Sequence, residues 1–162
     1  MTRRRLLALL AATPFAFPAA GRALSEPTGP QPVLPREKLV IVTRDGVHHD
    51  FSVERATTVE QQMTGLMFRP TVPEDGGMLF DWGKPRESQM WMRNTVASLD
   101  MLFINEDGTI RHIVENTVPQ SLAVIDSGGP VRATLELAAG TAERLDIRVG
   151  DRVQQRIFGN TP

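Results

Sequence analysis

The sequence contains no cysteine. That absence excludes disulfides, thiol chemistry and acylation at a lipoprotein cysteine. It shows no internal repeats and no heptads, so solenoids and coiled coils are excluded as well. Its N-terminal apolar run, Leu6 to Ala20, is short of the roughly 20 residues that a comfortable membrane span needs. Basic charge is scarce beyond that run. Setting aside Arg3, Arg4, Arg5 and Arg22 leaves 14 of the 18 basic residues against 19 acidic ones, a net charge of about −5. Nucleic acid needs a basic footprint that this balance lacks. The same balance weighs against anionic membrane surfaces.

The N-terminus has the order of an export signal. Arg3, Arg4 and Arg5 precede the apolar run, and Gly21 and Ala23 stand at −3 and −1 of a cut after residue 23. Thr2-Arg3-Arg4-Arg5-Leu6-Leu7 also resembles the twin-arginine export motif, with the general secretory route as the alternative. The expected location is periplasmic or otherwise exported. The alternative is a membrane anchor formed by an uncleaved segment 1–23, the only membrane contact expected. Residues 24–37 carry Pro27, Pro30, Pro32 and Pro35 and read as an extended linker. Residues 38–158 then make one domain.

Short strands dominate that domain. Lys38 to Thr43 and Val47 to Glu54 flank an Asp45-Gly46 hairpin signal. His48 and His49 are adjacent on a strand, point opposite ways, and so are poorly placed to share a metal. A short helix starts at Thr57 or Thr58, where Thr57 with Glu60 or Thr58 with Gln61 fits a capping box. Val59, Met63 and Leu66 or Met67 form its apolar stripe, and Gly65 ends it. Further strands are expected at Met78–Trp82, Gln89–Arg93, Leu99–Asn105, Thr109–Glu115, Val131–Ala138 and Arg152–Phe158. A turn covers Gly83–Arg86, a long polar loop Asn116–Pro130, and a helical turn Gly140–Leu145. The pattern predicts a mainly β domain, a compact barrel or sandwich-like sheet with one or two short helices.

One acid stands out. Leu99, Met101 and Phe103 share one strand face, while Asp100, Leu102 and Ile104 share the other. Both faces are apolar, so Asp100 is expected to be buried. A buried carboxylate needs a partner or a raised pKa. It is either a structural acid, bonded to loop amides or to an arginine such as Arg69 or Arg93, or a binding or catalytic acid.

Several segments match a known family in order: Gly65-Leu66-Met67-Phe68-Arg69, Gly77-Met78-Leu79-Phe80, Trp91-Met92-Arg93-Asn94-Thr95 and Leu99-Asp100-Met101-Leu102-Phe103. Asp107-Gly108-Thr109-Ile110, Leu135-Glu136-Leu137, Ala139-Gly140 and Gly150-Asp151 follow. With this set the chain resembles the domain of unknown function 192 family over about residues 38–158. The departures are mild: Arg93 stands where the family usually has lysine, and Ala97-Ser98 replaces a more apolar pair. The resemblance implies a mostly β, closed or nearly closed sheet, and no settled activity. It also picks out a candidate patch of Arg69, Trp91, Asn94, Asp100 and Glu136. An indole face with directional amide and carboxyl groups is the composition of a site for a sugar or other small polar ligand. The competing reading puts Trp91 and the methionines in the core, with Asp100 locked to Arg69 or Arg93.

Three rival chemistries follow from other residues. Asp126-Ser127-Gly128-Gly129-Pro130 copies a serine-protease nucleophile motif, but Ile125 stands where the oxyanion-hole glycine belongs and no base is in place. It reads as a glycine-rich turn. Met63, Met67, Met90, Met92 and Met101 offer thioethers that suit Cu(I), although methionine commonly fills cores. Asp100 and Glu136 could form a hydrolytic acid pair if their carboxyls lay within about 10 Å. The expectation is a ligand-binding or accessory module for a small polar molecule, with no cofactor.

Overall fold

A computed structural model describes residues 25–161. The export segment expected over residues 1–23 lies outside the described residues. Seven strands form one mixed sheet curled into a half-barrel. They are β1 (Arg36–Val42), β2 (His48–Ala56), β3 (Gly76–Met90), β4 (Leu99–Ile104), β5 (Ile110–Val114), β6 (Ile125–Ala138) and β7 (Arg152–Gln154). Two short helices, α1 (Val59–Thr64) and α2 (Thr141–Arg144), complete the fold. The spatial order is β5-β4-β6-β3-β2-β1-β7. Only β2 and β3 run parallel, with α1 in the crossover between them.

The two sheet edges meet at one end. Ile110 N–H donates to Asp151 O, Gly150 N–H to Ile110 O and Val153 N–H to Gly108 O, each at 2.8 Å. A single bridge between Thr109 and Arg152 adds to these contacts. Backbone groups that would otherwise be an open template for another chain are thereby paired.

The sheet carries a core on each face. Leu39, Ile41, Phe51, Val53, Leu102, Leu135 and Leu137 pack on one side, where Ala142 of α2 covers them. Leu99, Met101, Phe103, Met78, Phe80 and Met92 pack on the other. Every residue of β4 is buried, as its two apolar rows predict.

The helix start holds to one of its two predicted caps. Thr58 accepts from Gln61 N–H, while the Gln61 side chain accepts from the Thr58 backbone N–H, a reciprocal capping box. Gly65 closes α1 with its N–H on Gln61 O at 2.8 Å.

Elsewhere the boundaries shift. The strands expected at Met78–Trp82 and Gln89–Arg93 are two ends of β3, and the turn expected between them is a bulge within it. Asp81 pairs Ala133 and Arg86 pairs Val131, so four residues of β3 oppose one of β6. Residues 91–98 leave the sheet instead of continuing it. Their backbone bonds to loops: Met92 N–H to Ser121 O, Gln120 N–H to Thr95 O and Phe68 N–H to Asn94 O. The polar loop after β5 ends earlier than expected, because β6 begins at Ile125. The protease-like motif therefore lies within a strand, where Ser127 is buried, accepts from Ser88 N–H and donates to Gly129 O. The final strand stops at Gln154, since the Gln155 side chain accepts from Ile157 N–H and starts a short 3-10 turn, Arg156–Phe158.

The proline-rich stretch lies against the domain. Gln31 donates to the carbonyls of Gln61 and Gly65, and Leu34 N–H donates to Glu54 at 2.7 Å.

Candidate functional site

The five candidate residues separate into three places. Asp100 is fully buried on the face covered by α2. Its carboxylate accepts three backbone N–H bonds, from Asn116 and Ala142 at 2.9 Å and from Gly140 at 3.2 Å. Gly140 is the N-cap of α2 and has no side chain to cap with. Asp100 supplies that cap from a neighbouring strand, satisfying amides that the helix start leaves open. It has neither Arg69 nor Arg93 as partner.

Arg69 is held elsewhere. Its guanidinium forks onto the Glu54 carboxylate, with Nη2 at 3.0 Å from Oε2. Both side chains are largely buried, at 15% and 5% exposure. The internal lock predicted for Arg69 therefore exists, with Glu54 in the place expected for Asp100. Asn94 serves through its backbone. It adopts φ 55°, and its carbonyl accepts from Phe68, itself at φ 63°. Asparagine tolerates this left-handed conformation better than most residues.

Trp91 and Glu136 come together. They line one cavity of about 450 Å³ between α1, β3, the loop after β3 and the segment before β1. Glu136 comes from β6, opposite Met78 of β3 and Met101 of β4. It is 4% exposed. Among the described residues no hydrogen bond or ion pair meets its carboxyl, and burial alone pushes it up to about 8. At neutral pH it is therefore a neutral acid that can donate a proton in a hydrogen bond.

The walls are aromatic and thioether. Phe80 and Trp82 lie two and four residues beyond Met78 on the same face, with ring centroids 5.7 Å apart. Trp82 is fixed by its indole N–H, which donates to Thr134 at 3.3 Å. Arg86 lays its guanidinium over the Trp82 ring at 4.1 Å. At the rim, half-exposed Trp91 sits 5.4 Å from the Arg93 guanidinium, which pairs with Glu26 at 3.1 Å. Val59 and Met63, from the predicted apolar stripe of the helix, are exposed at 56% and 38% and line this cavity. Gln62, between them, ties α1 down by donating to Asp81 O at 2.8 Å.

The paired-acid reading fails on register. Asp100 pairs Leu137 and Glu136 pairs Met101 across the same two strands. Directly opposed residues share a face and neighbours alternate. The two carboxyls therefore lie on opposite sides of the sheet, and one substrate cannot touch both. The methionine set divides too. Met92 and Met101 are sealed in the core at zero exposure, while Met63, Met67 and Met90 line the cavity.

Sequence reasoning missed Trp82, Phe80, Arg86 and Gln62. The signal available was the period-two row Met78-Phe80-Trp82, which matches the row Thr134-Glu136. That match becomes visible only once β3 and β6 are known to be neighbours.

The fold and this cavity define a class: a small half-barrel domain with a buried acid, unpartnered among the described residues, lining an aromatic-walled pocket. The chain matches the family of domain of unknown function 192, described as uncharacterized ACR, over residues 40–155, and it belongs to that family. It is similar to a solved structure from Sinorhizobium meliloti 1021, described as a candidate transcription regulator. The two are 47% identical with a TM-score of 0.76, over 78% of this chain and 98% of that one. It is also similar to a protein of unknown function from Novosphingobium aromaticivorans DSM 12444, at 34% identity and a TM-score of 0.72, over 90% and 94% of the two chains. No curated protein matches the chain.

Proposed function

We propose that this chain is an exported binding module for a small polar molecule with a flat or ring-shaped apolar face, a sugar in class. The observation that carries the reading is Glu136. A buried carboxyl with no partner among the described residues, facing a cavity, leaves a donor for something that enters. The cavity is of ligand size, and its walls join aromatic and aliphatic surface to a few polar groups. Trp91 at the rim offers a face on which a sugar ring can stack. The basic-apolar-small order of residues 1–23 supports export.

The test is native mass spectrometry of the protein recovered from its export compartment, compared with its Trp91→Ala and Glu136→Leu variants. A small-molecule mass excess on the natural protein, absent from both variants, is expected. A bare polypeptide mass, together with no response of either tryptophan to any monosaccharide, overturns the reading.

A further inference from the structure

We propose that the Glu136 pocket selects a small hydroxylated acid, a sugar acid in class. Its carboxylate meets Arg86 and Arg93 while one of its oxygens accepts a hydrogen bond from Glu136. This rests on the binding reading above and adds the sign of the ligand's charge. Among the described residues four ionisable side chains line the cavity: Glu26, Arg86, Arg93 and Glu136. Glu136 is uncharged at neutral pH, for the reason given above. Arg86 has no acidic partner among the described residues, only the Trp82 face beneath it. Its planar donors stay open at the rim, in the fork geometry that suits a carboxylate. Arg93 is paired with Glu26, but the two side chains are 41% and 57% exposed. Such a pair holds weakly, so Arg93 can turn to an incoming anion at little cost.

Among the described residues the remaining neighbours of Glu136 bring no free charge: Glu54 of β2, which pairs Met78 in the same cross-strand row, is closed on Arg69. β4 presents Met101 opposite it, and Asp100 faces the other side of the sheet. α1 presents Gln62 and Met63 to the cavity. Further along β3 and β6, Asp81 is closed in ion pairs with Arg55 and Arg132. A cationic ligand would therefore meet two guanidinium groups and a neutral acid. An anionic one finds two guanidinium donors against a single carboxylate, the half-exposed Glu26 at the rim.

The sign has a consequence in pH. A bound anion favours the neutral form of Glu136, and ionising Glu136 repels the anion. Affinity for an acid falls as pH rises through about 8. Affinity for a cation, an organic amine or a soft metal ion at Met63, Met67 and Met90, would rise over the same range.

Three pyranoses that differ in charge make the test: glucuronate, glucose and glucosamine. The chain has two tryptophans, and both line the cavity, so their indole N–H resonances report occupancy in the exported protein. At pH 6.5 glucuronate should bind about tenfold tighter than glucose, the effect of one good charged contact, and glucosamine should bind more weakly than either. The glucuronate advantage should vanish in the Arg86→Met, Arg93→Met variant, whose changes lie at exposed or half-exposed positions. Its affinity should also drop between pH 6.5 and 9.5, and Glu136→Gln should flatten that drop. Equal binding of glucose and glucuronate overturns the charge preference and leaves the binding reading in place. Tighter glucosamine binding, or affinity that rises with pH, does the same and assigns the pocket to cations. Silence of both indoles towards all three overturns both proposals.

Discussion

Asp100 and Glu136 are both buried acids on adjoining strands, one residue apart in register and on opposite faces of one sheet. Asp100 receives three amide donors and fastens the start of α2 to the loop after β5. Glu136 receives none among the described residues, and its burial keeps it protonated well above the usual carboxylate range. Burial is nearly the same for the two. What differs is satisfaction, and satisfaction separates an acid that holds the fold from an acid left free to donate into a cavity.

The comparison breaks first at Asp100. Replacing it with Ala strips three donors of their acceptor and should lower stability by about 3–5 kcal/mol, the range for disrupting a buried charged network. Urea denaturation checks this. A loss below about 1 kcal/mol would make Asp100 dispensable and remove the contrast.

Glu136 should respond with the opposite sign. Its folded pKa is raised above the unfolded value of 4.5 to about 8. The folded state thus holds the extra proton between those values, and stability falls as pH rises from 4.5 to 8, then levels off. Glu136→Gln removes that dependence and should stabilise the protein at pH 8 by about 1–3 kcal/mol. Melting temperatures at pH 5 and pH 8 measure it. A variant less stable at both values would show a hidden partner for the carboxyl.

The capping box gives a smaller effect. Thr58→Ala should cost about 1 kcal/mol, and the α1 side of the pocket should exchange its amides faster. Hydrogen exchange read at Gln61 and Gln62 distinguishes local fraying from global loss. Smallest is Trp91→Ala. Its half-exposed ring should change stability by within about 0.5 kcal/mol, while the indole response to sugars is lost at that position. A large destabilisation would return Trp91 to the core reading.

Much of the fold was legible because its signals are local. The capping box at Thr58, the hairpin turn at Asp45-Gly46 and the two apolar rows of β4 are each written within a few residues. The long β3 was not legible. A bulge at Trp82–Pro85 looks like a turn when its partner strand is unknown. The site was legible only in part. Trp91 and Glu136 were named, but so were Arg69, Asn94 and Asp100, which the fold spends on an ion pair, a backbone turn and a helix cap. Glu54, the true partner of Arg69, closes the strand expected at Val47–Glu54, and nothing local to it points to Arg69 fifteen residues on.

By itself, the sequence determined the β class, the family and the burial of Asp100. Each follows from periodicity, turn chemistry or ordered motifs, which act over short distances along the chain. The tertiary structure alone decided which acids have partners. Partnership depends on strand order and on register, where a one-residue step moves a side chain to the other face of the sheet. That step places Asp100 among amides and Glu136 at the floor of a pocket.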